Sequence, residues 1–92
     1  MLILAILYLY NGIYMYLPHL GKHLKIARKK YFPQDDLAAF SVRIGVARAT
    51  LQKMEKGDLT VSFEKYYQAA QVLGLENGFD LLFSIEESLF DD

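Results

Sequence analysis

The residues with most chemistry to offer are Arg48, Gln52 and Lys53, which helical spacing sets on the outer face of one short helix running from about Ala47 to Lys56. Leu51 and Met54 fall on its inner face. An arginine fork can donate two parallel hydrogen bonds to O6 and N7 of guanine, a glutamine can pair with adenine, and a lysine reaches guanine or a phosphate. The same three residues would also serve as an ordinary solvated helix face. Other reactive groups combine less well. His19 and His23 stand at i, i+4, a spacing that can hold a metal on a helix, but no suitable third ligand is near in sequence, so they read as surface or cap residues and no metal is expected. Ser41, Ser62, Ser84 and Ser88 lack a recognisable His and acid arrangement, and no glycine-rich phosphate loop exists. The absence of cysteine excludes thiol nucleophiles, disulfides and Cys-type zinc clusters. Neither catalysis nor a cofactor is expected.

The elements that must position Arg48, Gln52 and Lys53 have 92 residues to work with, enough for one small domain and a short appendage. The net charge of -1 conceals a sorted distribution. Met1 to Gly21 carries no Lys, Arg, Asp or Glu; Lys22 to Lys56 has nine basic residues against three acidic; Gly57 to Asp92 has one basic against eight acidic. A basic middle suits phosphates, and an acidic end either faces away from them or meets a basic protein partner. An ordinary charged surface would also fit, so spacing has to decide.

Residues 1–18 form an apolar extension. A membrane helix needs about 20 apolar residues, and this run is short and interrupted by Asn11-Gly12. It has neither a basic start nor a convincing cleavage site for a secretory signal. Tyr-Leu-Tyr before Asn11-Gly12 and Ile-Tyr-Met-Tyr after it fit a β-hairpin with a two-residue turn, or a single strand arm. Both faces of such a hairpin would be apolar, so it would need burial against the domain, a second subunit or a partner. Translation starting at Met15 is the next alternative, and a membrane anchor the last. The tyrosines, concentrated in this arm and in the fourth helix, read as core and interface residues.

Pro18 separates the extension from a first helix near Leu20, with Leu24 and Ala27 on its inner side, stopped by Pro33. Asp35 and Asp36 are expected in the first turn of a second helix, whose Leu37, Phe40, Ser41 and Ile44 share a face before Gly45 allows a tight turn into the third. Gly57-Asp58 breaks the chain. Ser62 caps a fourth helix over Phe63 to Leu73, burying Phe63, Tyr66 or Tyr67, Ala70 and Leu73, and Gly74 ends it. Glu76-Asn77-Gly78 reads as a loop, and Phe79 to Ile85 as a fifth helix whose Phe79, Leu82 and Phe83 close the core. The acidic tail 86–92 follows.

Two short helices joined by a glycine-containing turn, the second exposing Arg, Gln and Lys, meet the requirements of a helix-turn-helix, in which the second helix fits the major groove. The run Gln34-Asp35-Asp36-Leu37-Ala38, then Arg43 to Gly57, then Val72-Leu73-Gly74-Leu75 resembles the Xre/Cro-CI family of helix-turn-helix proteins over about two thirds of the chain. Gly45-Val46, Thr50-Leu51 and Glu55-Lys56-Gly57 carry the likeness in order and at family spacing. Three residues within Ala39 to Arg43 are additional; they add nearly one turn, which keeps Leu37 and Ile44 on one face but displaces the helix start where the family places a phosphate contact, here Gln34.

The resemblance implies an all-α, five-helix lambda-repressor-like domain over 19–85. It implies that Arg48, Ala49, Gln52 and Lys53 face DNA, with Ala49 able to touch a thymine methyl. Arg43, the amide of Lys56 and the hydroxyl of Thr60 are the implied phosphate contacts. Gly45 and Gly57 are structural, and Arg28 is implied to pair with Glu55. The expected protein is a sequence-specific transcriptional regulator binding double-stranded DNA as a homodimer in the cytoplasm. The short chain and acidic tail resemble the HipB-like antitoxins, which repress their own operon and bind a HipA-type kinase toxin. A stand-alone phage or plasmid repressor, or an interaction module that no longer binds DNA, are the alternatives.

Overall fold

The computed structural model describes residues 15–85, and among these there are five helices and no strand. They are α1 (Pro18–Tyr31), α2 (Leu37–Ile44), α3 (Arg48–Met54), α4 (Phe63–Leu73) and a terminal 3-10 helix (Glu76–Leu81). The expected hairpin around Asn11-Gly12 and the acidic tail lie outside the described residues. Residues 15–17 run antiparallel beside 57–59: Tyr16 bridges to Asp58, the Leu59 amide donates to the Met15 carbonyl at 2.6 Å, and the Leu17 amide donates to the Gly57 carbonyl at 2.8 Å.

Pro18 opens α1 and does not separate it from the extension, so the helix begins two residues before Leu20. A proline at the first helical position gives up only an N–H that would have lacked an intrahelical partner. Arg28, Lys29 and Lys30 occupy the last turn, where the helix dipole favours cations, and Gly21, Leu24, Ala27 and Arg28 make the buried face.

The two acids expected in the first turn of α2 stand just before it. Asp36 is the N-cap and accepts from the Ala39 amide at 2.8 Å, while Asp35 turns to Arg43. A side-chain oxygen at the cap satisfies a terminal N–H directly, a stronger demand on Asp36 than proximity to the dipole. Phe40, Ser41 and Ile44 are buried, and Gly45 ends the helix at φ 78°, which an L side chain adopts only with strain. After the three-residue turn Gly45-Val46-Ala47, α3 starts at Arg48. It is shorter than the expected 47–56, because the chain tightens after Met54: the Lys56 amide donates to the Lys53 carbonyl at 3.1 Å and the Gly57 amide to the Met54 carbonyl at 2.9 Å.

α4 has its expected bounds, with the Ser62 hydroxyl accepting from the Lys65 amide and Gly74 as its left-handed cap. Its inner face is centred on Tyr66, Ala69, Ala70 and Leu73, so Phe63, one turn earlier, falls beyond the edge and is exposed. The fifth helix is shifted and of another type. It is the 3-10 helix, which takes in Glu76-Asn77-Gly78 with Phe79 and ends at Leu81, leaving 82–85 outside any helix. The tight winding returns Phe79 edge-on to Phe63 and Tyr67, ring centroids 5.1 and 5.4 Å away; the chain then leaves the core, with Leu82 and Phe83 exposed.

Phe40, Leu51 and Met54 lie fully buried at the centre, with Leu24, Ala27, Ile44, Tyr66, Ala69 and Leu73 around them. Each such large side chain contributes roughly 1.5–3 kcal/mol by leaving water. α4 packs on α1 and α2, and α2 on α3, so the inner face of α3 is held while its outer face stays open.

Candidate nucleic-acid interface

Burial of Leu51 and Met54 leaves Arg48, Ala49, Gln52 and Lys53 exposed on α3. Arg48 and Gln52 are one turn apart, as are Ala49 and Lys53, so the four form two adjacent rows. Among the described residues none of the Arg48, Gln52 and Lys53 side chains has a hydrogen bond or an ion pair within the protein. Their donors are available to an external acceptor. Gln52 also borders a shallow depression of about 300 Å3 with Lys25 and Lys56, which places cations of α1 and of the turn after α3 beside this face.

α3 is held from behind by the expected pair: Arg28 Nε donates to Glu55 Oε2 at 2.7 Å and Nη2 to Oε1 at 3.2 Å, with both side chains buried. The remaining arm of Arg28 donates to the Asp35 carbonyl at 3.4 Å, joining α1 to the end of α3 and to the approach to α2. Close backbone contact accompanies this pair. A Cβ on Gly21 would strike the Gly57 nitrogen and the Glu55 carbonyl, and one on Gly57 (φ 78°) would strike the Leu17 carbonyl. Gly21 carried one signal in the sequence, since a glycine inside a helical pattern calls for a packing reason.

The expected phosphate donors are differently placed. Arg43 is engaged with Asp35, Nε to Oδ2 at 2.7 Å and Nη2 to Oδ1 at 3.1 Å, and its guanidinium lies over the Phe32 ring at 4.2 Å. The hydrogen bond from Arg43 holds the Asp35 carboxyl below its ordinary range, and the same bond raises the arginine. The Thr60 hydroxyl gives its proton to Asp58 Oδ1 at 2.6 Å, and the Thr60 amide donates to the same oxygen at 2.8 Å. The Lys56 amide is spent on Lys53, although its side chain is exposed. Gln34 is exposed on the turn before α2, ahead of the Asp36 cap. Arg43, Thr60 and the Lys56 amide are thus internal fasteners of the loops flanking α2 and α3, with Arg48, Ala49, Gln52 and Lys53 as the open set.

Asp58 and Tyr66 are further positioning residues, legible in the sequence only as part of a chain break and as a candidate core side chain. Asp58 is buried, and the Thr60 hydroxyl, then the Thr60 amide, hold its carboxyl low, with help from the Lys53 charge and the Tyr16 hydroxyl. The Tyr66 hydroxyl donates to the Asp58 carbonyl at 2.7 Å; burial, and then the Asp58 charge, push it up to about 12. The Asp58-Leu59-Thr60 spacing, an acid two residues before a hydroxyl, was the available signal.

His19 and His23 have ring centroids 6.4 Å apart, and among the described residues no group of three His, Cys, Asp or Glu side chains could hold a metal. Among the same residues no helix is long and apolar enough to cross a membrane. Compared with family models, with curated proteins and with solved structures, the chain matches none.

Proposed function

We propose that α2, the turn at Gly45 and α3 form the helix-turn-helix of a lambda-repressor-like, sequence-specific DNA-binding regulator with no catalytic activity. The observation that carries this reading is the outer face of α3: an arginine, a glutamine and a lysine, exposed and with no hydrogen bond or ion pair among the described residues, on a short helix whose other face is buried. Arg48 is assigned to guanine, Gln52 to adenine, Ala49 to a thymine methyl, and Lys53 to a phosphate. One such helix reads few base pairs, so the regulator works as a homodimer on a palindromic site. The narrower assignment, an autorepressing antitoxin of the HipB type with a HipA-type kinase partner, is supported by the excess of acidic residues after Gly57. A stoichiometric kinase co-purifying at native expression levels would support it; recovery of a homodimer alone favours a stand-alone repressor.

The test is a fluorescence-anisotropy titration against duplex from the gene's own upstream region and against scrambled duplex at several salt concentrations. Tighter, salt-dependent binding to the upstream duplex is expected. Arg48→Ala should cost about 1–3 kcal/mol, mainly on the specific duplex, whereas Lys53→Ala should weaken both alike and reduce the log–log salt slope by about 1. Unchanged binding by both variants removes the assignment of this face. No binding to either duplex by the folded protein puts an interaction module ahead.

A further inference from the structure

On the side formed by α1, α4 and the 3-10 helix, Leu17, Leu20, Leu59, Phe63, Phe79 and Leu82 line an apolar groove of about 550 Å3. Its rim is open, with Leu17 51% and Phe63 60% exposed. A contiguous apolar surface of this kind on a small domain marks a place where something docks. The course of the chain indicates what. Residues 15–17 pair antiparallel with 57–59, and Leu17 is itself part of the groove wall. Continued backwards in the same register, the chain would run from Leu59 towards Val61, which also lines the groove, and on to Phe63. The segment arriving there, residues 1–14, carries no charged residue, and twelve of its fourteen residues are hydrophobic. Fourteen residues span up to roughly 46 Å when extended, at about 3.3 Å each, ample to cross a groove of this size.

We propose that residues 1–14 fill this groove in the same chain, passing Leu59 on the course set by residues 15–17. A second copy could present apolar surface to the groove, but the tethered segment starts beside it at an effective concentration of millimolar order, without loss of a second molecule's translational freedom. Burial in the groove also removes from water the uncharged run that a sequence of this composition leaves unaccounted for. This inference does not depend on DNA binding, and it assigns the groove to neither the dimer contact nor a toxin.

The test is photo-crosslinking in the full chain. Phe63→p-benzoylphenylalanine puts a photoreactive group on an exposed rim position, and the variant is irradiated as a mixture of isotopically light and heavy chains, digested and analysed by mass spectrometry. Products joining position 63 to residues 1–14 within a chain of one isotope are expected. Products joining light to heavy chains, or no product on residues 1–14, overturn the proposal. A chain beginning at Met15 gives a second readout: with helical circular dichroism retained, fluorescence of an apolar-surface dye should rise several-fold over the full chain, and an unchanged signal counts against it equally.

Discussion

At Asp58 three parts of the molecule meet: its carboxylate holds Thr60, its carbonyl accepts from Tyr66 on α4, and its backbone lies beside Tyr16. Tyr66→Phe removes the buried donor and leaves that carbonyl only the Val61 amide at 3.4 Å, for an expected loss of about 0.5–1.5 kcal/mol in urea unfolding at neutral pH. The phenol titrates near 10 in an unfolded chain and near 12 in the folded one. The wild type should therefore lose stability as pH rises from about 10 to about 12, and Tyr66→Phe should flatten that alkaline limb. Asp58 and Asp35 act with opposite sign: both are held below the ordinary carboxylate range, so their contribution is complete above it and fades as pH falls through their folded values. Asp58→Asn should shrink the acid-dependent loss of the urea midpoint. Arg28 and Glu55 are a buried pair, and removing one leaves the other uncompensated. Arg28→Ala should cost about 3–5 kcal/mol, and adding Glu55→Gln should cost much less than it does alone.

Where α1 crosses the end of α3, the elements are so close that a methyl group decides the packing. Gly21→Ala would drive a Cβ into the backbone of residues 55–57, with an expected loss of about 1–3 kcal/mol or more, whereas Gly78→Ala meets open space and should be neutral or slightly stabilising. Thermal melts of the two variants check the contrast. The helices were legible wherever a local device ends them: Ser62 and Gly74 set the bounds of α4, and Gly45 the end of α2. They were misread where a distant contact chooses among local options. Phe79 reaches Phe63 and Tyr67 through a 3-10 helix, which nothing in residues 76–85 announces, and the crossing at Gly21 depends on a turn over thirty residues away. The face of α3 was readable from periodicity, since Leu51 and Met54 had to be inside. The commitment of Arg43 to Asp35 was not, because that pairing depends on how residues 32–36 fold before the Asp36 cap.

Across the whole molecule, the basic residues of α1 and α3 precede an acidic remainder, so the chain carries a separation of charge that its total of -1 hides. In the DNA-binding reading this separation steers encounter more than it holds the complex. Lys22, Lys25 and Lys29 are exposed on α1. The triple change Lys22→Gln, Lys25→Gln and Lys29→Gln should slow association several-fold at low salt, with little effect on dissociation, and the difference should vanish at high salt. Stopped-flow binding at two ionic strengths measures both rates.

The crossing of Gly21 and Gly57 also bears on how the protein opens. The Gly57 amide donates to the Met54 carbonyl within its own turn, and the Leu17 amide donates to the Gly57 carbonyl across a joint that leaves no room for a Cβ on Gly21 or Gly57. The Gly57 amide lies in that buried joint, whereas Leu17 is half exposed and its amide is freed once residues 15–17 lift from 57–59. The Gly57 amide should therefore exchange far more slowly than the Leu17 amide or the Leu82 amide at the end of the 3-10 helix, both of which open locally.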